Sequence, residues 1–172
     1  MRKYFLPLLF TACFLFESIL LQVMPETFFA SGRIMVPHLL VIALIFLTIY
    51  GNRNLGIMYG FIFGILYDVI YIEIIGIYLF ALPLLCYIVS KIMKVLQTNL
   101  LIVTLVTLFG IALLEVVVYE MNFILYQTTM DFSRMAKLRL LPTILLNLLF
   151  TLILALPLKK QFEKLANQLR NQ

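Results

Sequence analysis

Charge is what this chain has least of. Only 12% of its 172 residues are charged, while 64% are hydrophobic. Soluble domains carry roughly 25% charged residues, and a chain this long cannot hide so much apolar surface in one aqueous core. The protein reads as an integral membrane protein. Its net charge of +5 then says little about nucleic acid, which is not expected as a partner; the distribution of the basic residues matters more. Cysteine is scarce as well. Cys13 and Cys86 both lie inside apolar runs, where a lone thiol serves as a small core side chain. That argues against a disulfide framework. With no CxxC and no Cys/His cluster, no metal is expected either, and no cofactor.

Catalytic motifs are missing too. There is no Gly-x-Ser-x-Gly elbow and no phosphate-binding Gly-x-x-x-x-Gly-Lys-Ser/Thr loop. His38 is the single histidine, and Ser18 and Ser90 lie in other segments. Leu66-Tyr67-Asp68 resembles the first aspartate motif of intramembrane aspartyl proteases. Those enzymes need two carboxylates sharing one proton, and Asp131, in a connection, is no second intramembrane aspartate. An enzyme is not expected.

What the chain does have is six apolar runs: 4–23, 36–50, 55–70, 74–90, 100–119 (with a possible extension to 125) and 140–158. About 20 helical residues cross the hydrocarbon core. The second to fourth runs are shorter, so they are expected either to pack as tilted, mutually buried helices or to form a tight hairpin between the second and third. The chain enters its first run with no small-residue cleavage site, and that run reads as a retained helix. With both termini in the cytoplasm, nine basic residues fall inside: Arg2, Lys3, Arg53, Lys91, Lys94, Lys159, Lys160, Lys164 and Arg170. Four fall outside: Arg33, Arg134, Lys137 and Arg139. That asymmetry follows the positive-inside rule. The expected organisation is an all-α, six-helix transmembrane domain over residues 1–158 and a cytoplasmic basic tail over 159–172. Leu158, Phe162, Leu165 and Leu169 give the tail an amphipathic spacing, against the plainer reading of a frayed polar end. Residues 120–137 mix apolar and charged side chains, as an interfacial helix or a docking surface would.

The third run carries the most regular feature. Gly56, Gly60, Gly64 and Asp68 recur every fourth residue. On a helix such residues lie nearly above one another, drifting about 40° per step. The glycines make a groove where a second helix can come close, whether from this chain or from a partner. Asp68 ends the groove, and Glu17 and Glu115 lie at a similar depth in other runs. An intramembrane acid is costly and calls for a role. The three are expected to face one shared cavity in the outer half, as a polar lock, with His38, Arg139, Arg33 and Lys137 as candidate counter-charges. Three readings stand: structural acids that fix helix register, acids that receive a partner protein's cation, and acids that conduct ions or protons. Asn147 is expected to hydrogen-bond across helices.

The run Tyr59-Gly60-Phe61-Ile62-Phe63-Gly64-Ile65-Leu66-Tyr67-Asp68 strongly resembles the rod shape-determining protein MreD family, above all its Bacillus-like Gram-positive members. Glu17-Ser18, Val36-Pro37, Gly76-Ile77-Tyr78, Glu115 and Leu141-Pro142-Thr143, followed by Asn147, agree in order. The resemblance implies a non-enzymatic scaffold in the bacterial plasma membrane. It would act with MreC, and in the wider complex with MreB, RodA and a class B penicillin-binding transpeptidase, to direct lateral peptidoglycan synthesis and maintain rod shape. Membrane lipid is a further expected partner. The resemblance also implies a fold similar to the six-helix substrate-binding components of energy-coupling-factor vitamin transporters. That leaves a vitamin-type transporter subunit as the alternative function.

Overall fold

In hydrocarbon an unpaired amide finds no water, so an apolar run has to close its own hydrogen bonds as a helix. A computed structural model of the chain describes residues 5–23, 32–72, 75–126 and 131–170, and all regular structure among them is helical. The helices are α1 (Phe5–Val23), α2 (Leu39–Phe46), α3 (Arg53–Tyr67), α4 (Ile77–Val95), α5 (Leu100–Tyr126), α6 (Phe132–Met135) and α7 (Leu141–Arg170). A single π-helical turn follows α2, α3 and α6, over Leu47–Gly51, Asp68–Ile72 and Ala136–Leu140. Five stretches are long and apolar enough to cross a membrane: Phe5–Val23, Arg53–Tyr71, Ile77–Val95, Leu100–Leu125 and Phe132–Arg170.

The second run behaves differently from the others. Leu39–Gly51 is too short to join the five; at 1.5 Å per residue it reaches only about 20 Å, against a core of about 30 Å. Leu39 to Leu47 are each 4% exposed or less. A helix that is apolar all round has to be buried all round, and α2 is accordingly the axis about which the others pack. The chain reaches it in extended form. Ile34 N–H donates to Leu138 C=O at 2.7 Å, and Val36 N–H to Thr143 Oγ1 at 3.2 Å. Asn147 Nδ2 donates to Val36 C=O at 2.8 Å. Non-helical backbone in an apolar setting needs its polar groups satisfied in this way.

Between α2 and α3 the chain turns through Asn52 alone, whose Oδ1 accepts from the amides of Asn54 (2.8 Å) and Leu55 (3.3 Å) and so caps α3. The glycine face of α3 then meets α4 in the most extensive contact between any two elements. A Cβ at Gly64 would stand 2.5 Å from Tyr78 O and 2.8 Å from Leu79 Cα; at Gly60 it would stand 3.1 Å from Pro83 N. At Gly56 it would collide with Thr48 of the π-helical turn after α2. The groove is thus filled from within the chain, by α4 and the end of α2.

The outward faces are apolar: Leu15, Leu105 and Leu149 are each more than half exposed, as side chains covered by acyl chains are. Helix α7 shows no break at residue 158. It runs on past Pro157 to Arg170, and Phe162 is fully buried near Gly51, so residues 159–170 extend a long helix rather than lie apart from it. Of residues 120–137, those up to Tyr126 end α5 and those from Phe132 form α6 and the start of the π-helical turn after it. Arg2, Lys3, residues 73–74, 127–130 and 171–172 lie outside the described residues.

Candidate functional site

The first amides of a helix have no helical acceptor, and the start of α2 is buried. Two side chains from other helices supply the acceptors. Asn147 Oδ1 takes the His38 amide at 2.7 Å, and Glu17 Oε2 takes the Leu40 amide at 3.2 Å. A carboxylate there also meets the positive end of the helix dipole. The other oxygen of Glu17 accepts from the Tyr67 hydroxyl at 2.5 Å. Glu17 is 2% exposed.

Asp68 does the same work for α4. Its Oδ2 accepts from the amides of Gly76 (2.8 Å) and Leu79 (3.0 Å), and its Oδ1 from Tyr78 (2.8 Å). Gly76, at φ +135°, holds a left-handed conformation that lets the chain turn back beneath the carboxylate. Asp68→Ala would strand three amide donors and is expected to cost about 3 kcal/mol, at about 1 kcal/mol for each hydrogen bond lost. Asp68→Asn keeps an acceptor and should cost about half as much. Thermal midpoints in detergent check both, and an Asp68→Ala variant as stable as the native chain would contradict the capping role.

Glu115, on α5, is the acid held between a histidine and an arginine. Its Oε1 lies 2.7 Å from His38 Nε2 and its Oε2 accepts from Arg139 Nε at 2.7 Å. Glu115 and His38 are each 1% exposed, Arg139 31%. Both carboxylate oxygens are satisfied, which is what offsets the desolvation of a buried charge.

Beside these groups lies a cavity of about 340 Å³. Glu17 and Leu21 of α1 form one wall, and Val118 and Asn122 of α5 another. Tyr67, Tyr71 and Tyr78 form the aromatic side, with His38 and Arg139 completing it. Of the three acids expected to share a cavity, only Glu17 lines it. Glu115 stands behind His38 and Arg139. Asp68 is not in the wall: the bare amide end of α4 claims it. Arg33 and Lys137 stay on the surface. Among the described residues, no three His, Cys, Asp or Glu side chains gather as a metal site requires.

Sequence reading missed the tyrosines. The Tyr67 ring stacks on Tyr78 at 5.0 Å and meets Phe14 edge-on at 5.2 Å. The Tyr71 hydroxyl pairs with Ser18. A signal was present: Phe10 and Phe14 on α1, and Tyr59, Phe63 and Tyr67 on α3 with Tyr71 in the π-helical turn after it, repeat every fourth residue. Two such aromatic stripes on one face each are made to meet.

Comparison with known proteins bears on the whole chain. The family model described as rod shape-determining protein MreD matches residues 2–165. A relative from Bacillus subtilis (strain 168), named rod shape-determining protein MreD, is 36% identical over 172 residues, covering 100% of both chains. No solved structure matches.

Proposed function

The chain belongs to the rod shape-determining protein MreD family, and from that premise we propose that it is a scaffold of the cell-elongation machinery. The family is one of shape-determining membrane proteins, not enzymes, and several apolar helices make this member a multi-pass membrane protein. In the proposed arrangement both termini are cytoplasmic. The short α2, together with the extended segment that leads into it, counts as a sixth crossing, giving a six-helix layout like that of energy-coupling-factor substrate-binding components. The protein works with MreC, and through it with MreB, RodA and a class B penicillin-binding transpeptidase, in lateral peptidoglycan synthesis.

The observation that supports a partner-holding role is the cavity. With the glycine groove filled by α4, the cavity is a concave polar surface that a partner can enter. That orientation puts it on the outer side. Glu17 on its wall makes no ion pair among the described residues, and three tyrosines surround it. A carboxylate among aromatic faces suits a cation, so a basic residue of an MreC membrane-proximal segment is the proposed occupant. The test is co-purification: MreC is expected to stay with the native chain in mild detergent.

The transporter reading also draws on the cavity, since about 340 Å³ falls at the small end of the roughly 300–1,000 Å³ usual for small-molecule sites. A vitamin-sized compound recovered with the purified chain, in place of MreC, would favour that reading.

A further inference from the structure

At the opposite end of the bundle the charges are unbalanced. Arg53, Lys91, Lys94, Lys159, Lys160, Lys164 and Arg170 gather where α2 and α4 end, α3 begins and α7 runs out. The one described acid at this end is Glu163, paired with Lys159 at 3.8 Å. Arg53 and Lys91 make no ion pair among the described residues. Both stand over the same ring: Arg53 Cζ is 4.9 Å from the Tyr87 centroid and Lys91 Nζ is 5.3 Å from it. The two cations are therefore no more than about 10 Å apart, about one Debye length at 0.1 M salt. The aromatic face attracts each of them and does nothing to relieve their mutual repulsion. The Arg53 Nε is buried and has no hydrogen-bond partner, which is costly for a charged donor.

An apolar stripe leads away from this pair. Phe80, Leu84 and Tyr87 of α4 are 66%, 56% and 42% exposed, at helical spacings of four and three, with Lys91 four residues further on. From Lys91 back to Phe80 the helix covers about 16 Å, close to one leaflet of a core about 30 Å thick. An anion-binding head above a leaflet-deep apolar strip has the pattern of an amphiphile.

We propose that Arg53 and Lys91, astride the Tyr87 ring, bind the phosphate of an anionic phospholipid whose acyl chain lies along Tyr87, Leu84 and Phe80. The phosphodiester brings the negative charge that neither cation finds among the described residues. A zwitterionic headgroup brings its own ammonium towards two cations and fits less well. The site lies away from the cavity and does not depend on what the cavity holds.

The test uses the purified full chain in detergent, with its thermal midpoint followed against added phosphatidylglycerol, phosphatidylcholine or inorganic phosphate. Phosphatidylglycerol is expected to raise the midpoint, and the other two to leave it nearly unchanged. Arg53→Gln/Lys91→Gln should need about thirtyfold more phosphatidylglycerol for the same rise, from about 1 kcal/mol for each basic residue at a membrane surface. Lys160→Gln/Lys164→Gln, which removes two exposed charges elsewhere at the same end, should respond like the native chain. If the double variant does not fold, Lys91→Gln alone, at an exposed position, should need about fivefold more. Equal stabilisation by phosphatidylcholine would overturn the proposal, as would an unshifted Lys91→Gln titration. Stabilisation by inorganic phosphate alone would make this a soluble-anion site and overturn it equally.

Discussion

Gly64→Leu should leave almost no folded protein in the membrane. The added Cβ alone would stand 2.5 Å from Tyr78 O and 2.8 Å from Leu79 Cα. These are backbone atoms and cannot rotate aside. To admit the side chain, α3 and α4 would have to separate along their whole contact. That would also pull Asp68 from the amides of Gly76, Tyr78 and Leu79. The expected loss exceeds about 4 kcal/mol, the range reached when a buried contact is overpacked and its hydrogen bonds break together. Gly60→Ala makes a graded control. Its nearest atom, Pro83 N at 3.1 Å, is tight enough to need a small shift and no more. Membrane abundance and thermal midpoint should rank native, Gly60→Ala, Gly64→Ala, Gly64→Leu. A Gly64→Leu protein of native stability would show that α3 and α4 do not pack through this face.

Glu115→Leu is expected to cost as much as Asp68→Ala, about 3 kcal/mol. It leaves His38 Nε2 buried without an acceptor and Arg139 without its carboxylate, and orphaning one side of a buried pair costs about 3–5 kcal/mol. The lower end applies because Arg139 is 31% exposed and reaches water when released. For a chain of this size that is a fall of about 6–12 °C in thermal midpoint. Arg139→Leu should cost less, since Glu115 keeps His38. Glu115→Leu/Arg139→Leu should cost less than the two single losses added together, because the first substitution has already broken the contact that the second would remove. Strict additivity would mean that the 2.7 Å contact contributes nothing.

The parts of this structure legible in the sequence are those that depend on spacing within one element. The row Gly56, Gly60, Gly64 declares a close approach because period four is a property of the helix itself. What fills the groove is not declared: Pro83 and Tyr78 meet it through tertiary packing. Hydropathy located the apolar runs but not the difference between a lipid-facing helix and the protein-covered α2, since Leu40 and Leu105 are equally apolar and only one is buried. The placement of the three acids within apolar runs was readable; their roles were not. Glu17 serves an amide 23 residues away and a hydroxyl 50 residues away. Which carboxylate caps which helix is fixed only when the helix ends are brought together. Asp68 left the expected shared cavity for that reason.

The most direct test of the scaffold reading fills the cavity without disturbing what frames it. Asn122 lines the cavity and among the described residues bonds locally, to Val118 C=O at 2.8 Å, so Asn122→Trp places an indole in the space and leaves the Glu17, Asp68 and Glu115 contacts intact. The measurement is MreC recovery with this variant, at matched membrane abundance and thermal midpoint, in rod-shaped cells whose own copy has been replaced. The expected result is a folded protein that no longer retains MreC, in cells that lose their rod shape and round up. Full MreC recovery in rod-shaped cells, with the cavity filled, would contradict it.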